Sequence, residues 1–533
     1  MLILIPVFLV VFAALVILIL HRVRPGAGLL WLIAAFTILL AWGLTLALRW
    51  AAPEPLEGGA FLSLNAATGS LVFQMDELAW PYAFSLFSLL LGFILTAPIR
   101  FSPQQPHIPW IGSMLLAAAG YLAVTSGTIF TLVMVWMVID ILELVILLIT
   151  VSRGELIQVI IVQFSIRLVG TFLALWGLLV SSAQGQGQGL TSALTGSGLF
   201  LLLAAALRLG VVPFHTAYFE EPRLRRGLAT VMRLVVPVSS LALLSRIPAD
   251  AVPPGIAVYL LAFTTLTALY GGSKWLTARD ELSGRPYLII TVGAMATACA
   301  VRGQPGAALA WGTALVLPGG FLFLSQAYSR PLLVFLVISW LGLSGLPFTP
   351  AAYGWPGLVV LPFNLLDILS ILAHVLVSIG FLKHGLRNRV SLMQTEAWIT
   401  TAYSLGLFIV TFAPWVVSIA GWQGPFSTGV WWASLASTLI TAAGLTGFRR
   451  INASFAPGLD QNHWLTATAR RFFKLVTDVL NLKWLIRLLS GIYRLARLEI
   501  DAITRILEGE GGLLWALVLL AMIFSILRQP EGF

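Results

Sequence analysis

Long apolar segments constrain the fold of this chain more than any other feature. A helix that crosses the hydrocarbon core of a bilayer needs about 20 apolar residues. The sequence has about sixteen such segments, near 2–20, 28–50, 77–98, 108–126, 128–151, 155–181, 195–219, 224–246, 254–273, 286–302, 305–328, 331–362, 365–383, 397–420, 428–448 and 511–527. Only 10% of the residues are charged, whereas soluble domains carry roughly 25%. The composition therefore predicts an all-α polytopic membrane protein with about 14–16 transmembrane helices.

The distribution of basic residues predicts the orientation of these helices. With an extracytoplasmic N-terminus, the ends that face the cytoplasm carry most of the loop cations, namely Arg22, Arg24, Arg100, Arg153, Arg223, Arg225, Arg226, Lys274, Arg279, Arg285, Arg330, Lys383, Arg387, Arg389, Arg449 and Arg450. Arg302 is the main exception. This bias follows the positive-inside rule and is expected of a multi-pass protein of a bacterial-type inner membrane. It also accounts for the net charge of +10 without a nucleic-acid partner.

Two stretches of the sequence resemble each other. The stretch 209-LGVVPFHTAY-218 is similar to 343-LSGLPFTPAAY-353, and the two lie five spans apart. An odd offset reverses the direction of a span, and paired broken helices in opposite orientation are typical of inverted repeats. The pattern predicts two inverted five-helix repeats whose helices break at Pro213 and Pro347. Two ordinary proline kinks are the alternative.

Ionisable residues within the apolar segments indicate an internal charge network. Asp140 and Glu143 lie three residues apart, which puts both carboxylates on one face of a helix. Arg167, Arg208 and Arg233 follow, one in each of the next three segments. Charged groups inside a membrane need a partner or water. We expect either an ion path or purely structural ion pairs.

Three further positions are candidates for proton transfer. His215 follows Pro213, where it could relay protons or cap carbonyls that the break leaves free. Asp367 and His374 share one face of a later segment, and we expect them to form a half-channel with Lys383 and His384 at its cytoplasmic mouth. The single cysteine, Cys299, excludes an internal disulfide and a cysteine-based metal site. No cofactor or metal is expected.

Several of these motifs resemble one family. The stretch 207-LRLGVVPFHTAYFEEPRLRRGLATVMR-233 resembles the seventh and eighth helices of the antiporter-like membrane subunits of respiratory complex I and of Mrp-type sodium/proton antiporters. The stretches 274-KWLTARDEL-282 and 343-LSGLPFTPAAYGWPG-357 are similar to motifs after the ninth helix and in the twelfth helix of that family. The resemblance covers about residues 28–450, and its V-P-F-H motif is the most specific part.

The chain departs from the family at the positions that the resemblance assigns to proton transfer. Asp140, or alternatively Glu143, stands at the glutamate of the fifth helix. Arg208 and Arg233 replace the lysines of the seventh and eighth helices, and Trp355 stands at the lysine of the twelfth. The resemblance assigns Lys274 to the same path. Arginine remains protonated in proteins, so we expect impaired pumping through the family's usual path.

The resemblance implies an antiporter-like membrane subunit of a complex I-like or Mrp-like multi-subunit assembly. Such a subunit binds sister membrane subunits within the lipid bilayer, and it translocates protons or Na⁺ or once did so. It has no catalytic site of its own, and whether the assembly is a proton-translocating NADH:quinone oxidoreductase-like enzyme stays open. One alternative is a non-transporting structural subunit in an antiporter slot of a larger membrane complex. Another is a stand-alone secondary cation/proton antiporter.

The expected organisation follows from these patterns. Apolar residues at helical spacing and eight Lys/Arg residues between Arg470 and Arg505 predict an amphipathic lateral helix on the cytoplasmic surface, touching either a neighbouring subunit or lipid alone. The predicted regions are N-terminal helices with an extracytoplasmic hairpin loop (1–107), the two repeats (108–246 and 254–390), peripheral helices (391–450), the lateral helix (451–510) and a terminal transmembrane helix (511–533).

Overall fold

A computed structural model describes most of the chain. It covers residues 1–23, 28–51, 54–57, 71–100, 107–151, 154–183, 189–190, 194–215, 226–248, 250–328, 332–387, 390–391, 396–421, 427–453 and 491. The chain divides into two compact units, Met1–Pro457 and Gly458–Phe533. The predicted lateral helix beyond residue 453 and the predicted terminal transmembrane helix lie outside the described residues, apart from residue 491.

The first unit is built from α-helices. They are α1 (Ile5–Val23), α2 (Gly28–Ala51), α3 (Ala79–Thr96), α4 (His107–Val124), α5 (Ile129–Thr150), α6 (Gly154–Ala183), α7 (Leu194–Arg208), α8 (Arg226–Leu244), α9 (Pro254–Thr277), α10 (Glu281–Val301), α11 (Pro305–Leu324), α12 (Leu332–Ser344), α13 (Leu365–Gly385), α14 (Ala397–Ala420) and α15 (Trp431–Ala453). Short 3₁₀ turns lie at Leu2–Leu4, Ala97–Arg100 and Ala352–Gly357. Each of the first fifteen predicted segments overlaps one of these helices.

Eleven helices among the described residues are long and apolar enough to cross a membrane. The apolar helices at Ile108–Val124, Ser197–Arg208 and Leu332–Ser344 are shorter. The fifteenth segment also forms a helix, α15, but it is not among the eleven. These helices confirm the prediction of an all-α polytopic membrane protein.

Two predicted spans are shorter helices than the sequence indicated. The helices in the segments 195–219 and 331–362 are predicted to break at Pro213 and Pro347, but α7 ends earlier, at Arg208, and α12 ends earlier, at Ser344. Glycines in the left-handed region follow both ends, Gly210 with φ 77° and Gly345 with φ 65°. A glycine in this conformation terminates a helix before the proline does.

The helices divide into buried central ones and exposed peripheral ones. The spans of α3, α8, α10 and α11 are almost wholly buried inside the protein, whereas most residues of α1, α2 and α6 are not. Within α4–α8, each helix contacts the next, and α4 also contacts α8. The helices α9–α13 repeat this pattern, with α9 against α13. The groups meet where α8 contacts α10 and α11.

Short strands join loops at the helix ends. Strands β1 (Leu56–Glu57) and β2 (Val72–Phe73) pair antiparallel, with Leu56 opposite Phe73. They lie within the region of the predicted hairpin loop, and residues 58–70 lie outside the described residues. Strands β3 (Ala327–Tyr328) and β4 (Val390–Ser391) pair in parallel.

Candidate functional site

Five charged residues meet inside the first group of helices. Asp140 and Glu143 project from α5, Arg167 from α6, Arg208 from α7 and Arg233 from α8. Each of the five side chains is at most 2% exposed. Residues that are far apart in sequence therefore form one charge cluster, because α6, α7 and α8 each bring one arginine to the acidic face of α5.

Asp140 accepts hydrogen bonds from both terminal nitrogens of Arg208. Nη1 lies 2.6 Å from Oδ2, and Nη2 lies 2.9 Å from Oδ1. The same Nη1 also donates to the Arg167 carbonyl (3.2 Å) and to Thr171 Oγ1 (2.9 Å). The Trp136 ring lies 4.4 Å from the guanidinium carbon. This fork geometry fixes the plane of the Arg208 guanidinium.

Glu143 lies between two other arginines. Arg167 Nη1 is 2.9 Å from Oε2, and Arg233 Nη1 donates to Oε1 at 2.5 Å. Arg167 Nε also lies 3.2 Å from an Asp140 oxygen. The row therefore alternates in sign from Arg208 through Asp140, Arg167 and Glu143 to Arg233, with a formal charge of +1.

A single glycine makes room for this arrangement. A Cβ atom on Gly170 of α6 would lie 2.7 Å from Arg208 Cγ and 3.2 Å from the Ala204 carbonyl oxygen. Real side chains do not tolerate the first distance. The aliphatic stem of Arg208 thus crosses α6 where that helix has no side chain.

The end of α7 sets the position of Arg208. The Gly210 N–H donates to the Leu207 carbonyl at 3.0 Å, and the Val211 N–H donates to the Ala206 carbonyl at 2.8 Å. These two bonds, with the left-handed Gly210, form a Schellman C-cap. Arg208 is consequently the last residue of a helix that ends inside the protein.

His215 closes the turn after this break. Its Nδ1 lies 2.8 Å from the Pro213 carbonyl oxygen, and its backbone N–H donates to the Gly210 carbonyl at 3.2 Å. The contact with a carbonyl oxygen makes Nδ1 the donor of the ring. Of the two interpretations of His215, this geometry favours the cap over the relay.

The break also packs against α9, which carries Lys274. The Phe214 ring meets the Tyr270 ring edge-on at 4.4 Å, and Thr267 donates to the Val211 carbonyl at 3.4 Å. Lys274 Nζ lies 5.7 Å from the centre of the Tyr270 ring. Lys274 is therefore near the break of α7 through one tyrosine.

Aromatic rings fill the second break. Trp355 Nε1 donates to the Gly345 carbonyl at 3.0 Å, and its ring lies 5.8 Å from Trp311 and 4.9 Å from His374. Trp311 Nε1 in turn donates to the Gly354 carbonyl at 3.0 Å. At the position where the family resemblance places a lysine, this chain has a buried indole that holds the broken backbone.

Asp367 and His374, the two residues of the predicted half-channel, each contact partners of their own. Asp367 lies 3.0 Å from Arg302 and forms the capping box of α13 with Asn364. His374 lies two turns further on, with Nε2 3.0 Å from the Leu343 carbonyl and Nδ1 2.7 Å from Ser437 Oγ. The pair with Asp367 also accounts for Arg302, the exception to the charge rule.

The expected cytoplasmic mouth of that half-channel consists of helix caps. Lys383 Nζ donates to the carbonyls of Leu276 (2.7 Å) and Ala278 (3.2 Å) at the end of α9. His384 Nε2 lies 3.1 Å from the Trp275 carbonyl. Basic groups at a helix C-terminus complement its dipole, which gives both residues a structural role here.

Sequence reasoning missed a polar connection between the two helix groups. Arg226 and Glu281 form an ion pair at 2.6 Å, and Arg285 donates to Thr230 Oγ1 at 3.3 Å. Arg285 was interpreted as a cytoplasmic loop cation, but it is 1% exposed. The sequence signal for this connection was the spacing of Arg226, Thr230 and Arg233, which places all three on one polar face of α8.

Asp280 lies outside the membrane-spanning segments. Burial raises the pKa of its carboxyl group, but hydrogen bonds from Ser283 and the charge of Arg387 lower that pKa by more. The net pKa is below its ordinary value.

Within the described residues, no group of three or more His, Cys, Asp or Glu residues is arranged to hold a metal ion.

Comparison with known proteins finds similarity in structure alone. No protein-family model matches the sequence, and no curated protein matches it. A chain of the Mrp complex from Dietzia sp. DQ12-45-1b aligns with 99% of this chain at a TM-score of 0.71 and 14% identity. This chain spans 63% of the length of that Mrp-complex chain.

Two other solved structures align over the full length of their own chains. One is the membrane-bound sulfane sulfur reductase (MBS), an archaeal respiratory membrane complex, with a TM-score of 0.67, 12% identity and 98% of this chain covered. The other is respiratory complex I from Thermus thermophilus, with a TM-score of 0.60, 17% identity and 83% of this chain covered. The chain therefore has a fold found in the Mrp complex, in MBS and in respiratory complex I.

Proposed function

We propose that this chain is an antiporter-like membrane subunit of a multi-subunit assembly of the Mrp or complex I kind, and that its own charge cluster is a fixed row of ion pairs rather than a proton relay. The observation that carries the proposal is the two-pronged pairing of Arg208 with Asp140 inside the protein. The shared fold supports the first part of the proposal, and the chemistry of the cluster supports the second.

A proton relay needs groups that change charge near the working pH. Arginine stays protonated in proteins, so neither Arg208 nor Arg233 can pass a proton on. Each carboxylate of the cluster contacts two guanidinium groups, so every member of the row lies beside a group of opposite charge.

The second helix group offers no substitute at the matching position. Trp355 has no group that gains or loses a proton near neutral pH, and its indole N–H donates a hydrogen bond to the Gly345 carbonyl. His374 has both ring nitrogens in contact with fixed partners. The similar contact patterns of α4–α8 and α9–α13 support the two inverted repeats, at 108–246 and 254–390. On this proposal, the fold of the repeats is retained and their titratable groups are replaced.

Restoring lysines tests the lost relay. We expect the double variant Arg208→Lys with Trp355→Lys to increase proton translocation in proteoliposomes of the purified assembly. Burial can lower the pKa of a lysine enough for the lysine to lose its proton, whereas an arginine stays protonated. Arg302→Lys is the matched control, because it changes an arginine–carboxylate pair outside the cluster. Equal flux in the double variant, the control and the native protein would count against the proposal.

Membership in an assembly is tested by purification. The tagged native chain, extracted in mild detergent and cross-linked, should carry other membrane subunits that mass spectrometry identifies. Recovery of the chain alone from the same membranes would instead support a stand-alone antiporter. A complex that is recovered but conducts no ions in any variant would support a purely structural subunit.

A further inference from the structure

A seam between α12 and α14 contains buried polar groups that the proposed function does not use. The Phe335 and Phe408 rings meet at 6.1 Å. About two turns further along both helices, a Cβ on Gly342 would lie 3.9 Å from Pro414 of α14 and 3.7 Å from Pro318 of α11. These contacts identify the facing sides of the two helices, and they show that the helices run in the same direction.

Ser339 and Thr411 lie on these facing sides at nearly the same level. Ser339 is four residues beyond Phe335, and Thr411 is three beyond Phe408, which puts them roughly 6 Å and 4.5 Å along the two axes from the ring contact. Ser339 is 1% exposed and Thr411 is 0% exposed. Neither hydroxyl has a hydrogen-bond partner among the described residues.

Few buried hydroxyls of the described residues share this lack of a partner; the others are those of Ser113, Ser240, Ser378 and Ser418. Most helical Ser and Thr hydroxyls donate to a carbonyl one turn back, as Thr45 does to Ala41 (2.8 Å) and Ser434 does to Trp431 (2.9 Å). Ser339 and Thr411 have the same option on their own helices and do not use it. Their donors and acceptors are therefore available to a partner between the helices.

The seam also contains acceptors. Pro414 has no N–H, so the Val410 carbonyl lacks its usual helical donor, and Pro318 does the same to the Ala314 carbonyl. Donors and acceptors thus occur together where α11, α12 and α14 meet.

We propose that this seam is an internal water site, in which ordered water bridges the hydroxyls of Ser339 and Thr411 and reaches the Val410 carbonyl. Buried hydroxyls without hydrogen bonds are destabilising. A buried water needs two to four polar partners, and the seam supplies that number. The site is separate from the charge cluster, which lies in α5–α8.

A double-mutant cycle tests the bridge in the intact purified protein. Ser339→Ala and Thr411→Val should each lower the midpoint of thermal unfolding by roughly 1–3 °C, because each leaves the other hydroxyl and the water short of a partner. The double variant should be no less stable than either single variant. Additive losses, or single variants that are more stable than the native protein, would overturn the proposal.

A second measurement applies even if a variant fails to fold. A cryo-EM map of the native protein at a resolution that shows ordered water should have density within hydrogen-bonding distance of both hydroxyls. Hydroxyls turned back to their own helix carbonyls, with no density between them, would overturn the proposal.

Ser434→Ala is the control for the double-mutant cycle, because the Ser434 hydroxyl already donates to a carbonyl of its own helix.

Discussion

Removing one carboxylate from the charge cluster should destabilise the protein far more than removing an ion pair. Asp140→Asn keeps the shape of the side chain, but it leaves Arg208 and part of Arg167 facing a neutral amide. The formal charge of the cluster rises from +1 to +2 in a site where every side chain is at most 2% exposed. Removing Arg208 as well, in Asp140→Asn with Arg208→Gln, restores the charge to +1.

The expected size of the effect follows from the burial of these groups. Breaking a buried pair by removing one partner costs about 3–5 kcal/mol, whereas replacing both partners is often neutral. An unfolding entropy of about 2.1 cal/mol/K per residue over the unit Met1–Pro457 gives roughly 1 kcal/mol/K. The single variant should therefore lose at least about 3 °C of thermal stability. The double variant should recover most of that loss.

Thermal unfolding of the purified protein in detergent, followed by intrinsic tryptophan fluorescence, measures both variants. The reasoning is refuted if Asp140→Asn is as stable as the native protein. It is equally refuted if the double variant is less stable than the single one, because then the pair itself, and not the uncompensated charge, stabilises the fold.

Three further predictions concern other parts of the chain. Gly170→Ala should lower thermal stability because its Cβ meets an arginine stem, whereas Gly43→Ala, with nothing within 4 Å, should be neutral or slightly stabilising. Asp367→Asn should weaken the pair with Arg302 and lower stability without changing proton flux; a changed flux with unchanged stability would instead support the half-channel. Deletion of 464–533 should release a neighbouring subunit in mild detergent, and an unchanged complex after that deletion would contradict the predicted role of the lateral helix.

The helices and the charge cluster could be predicted because both depend on patterns that the sequence displays directly. Apolar length determines where a helix can cross a bilayer, and a charge inside such a segment needs a partner. The i, i+3 spacing of Asp140 and Glu143 placed both acids on one face of α5. With one arginine in each of the next three segments, the number of available partners was small.

The partners of isolated residues could not be predicted in the same way. Asp367 and His374 share a helix face, but a shared face does not specify what packs against it. Arg302 is the C-cap of α10 and Ser437 lies in α15, and no local pattern links these positions with α13. The ends of α7 and α12 were predicted at Pro213 and Pro347, which is too late in the sequence. In each case a left-handed glycine ends the helix before the proline.

The central claim is that the charge cluster is fixed and does not relay protons. Its most direct test is proton flux after a pH jump in proteoliposomes of the native assembly, compared with the variant Asp140→Asn with Arg208→Gln, whose fold should be retained. The account predicts that the two rates are the same. A native rate that the double variant abolishes, with the assembly intact, would show that Asp140 and Arg208 belong to a working proton path.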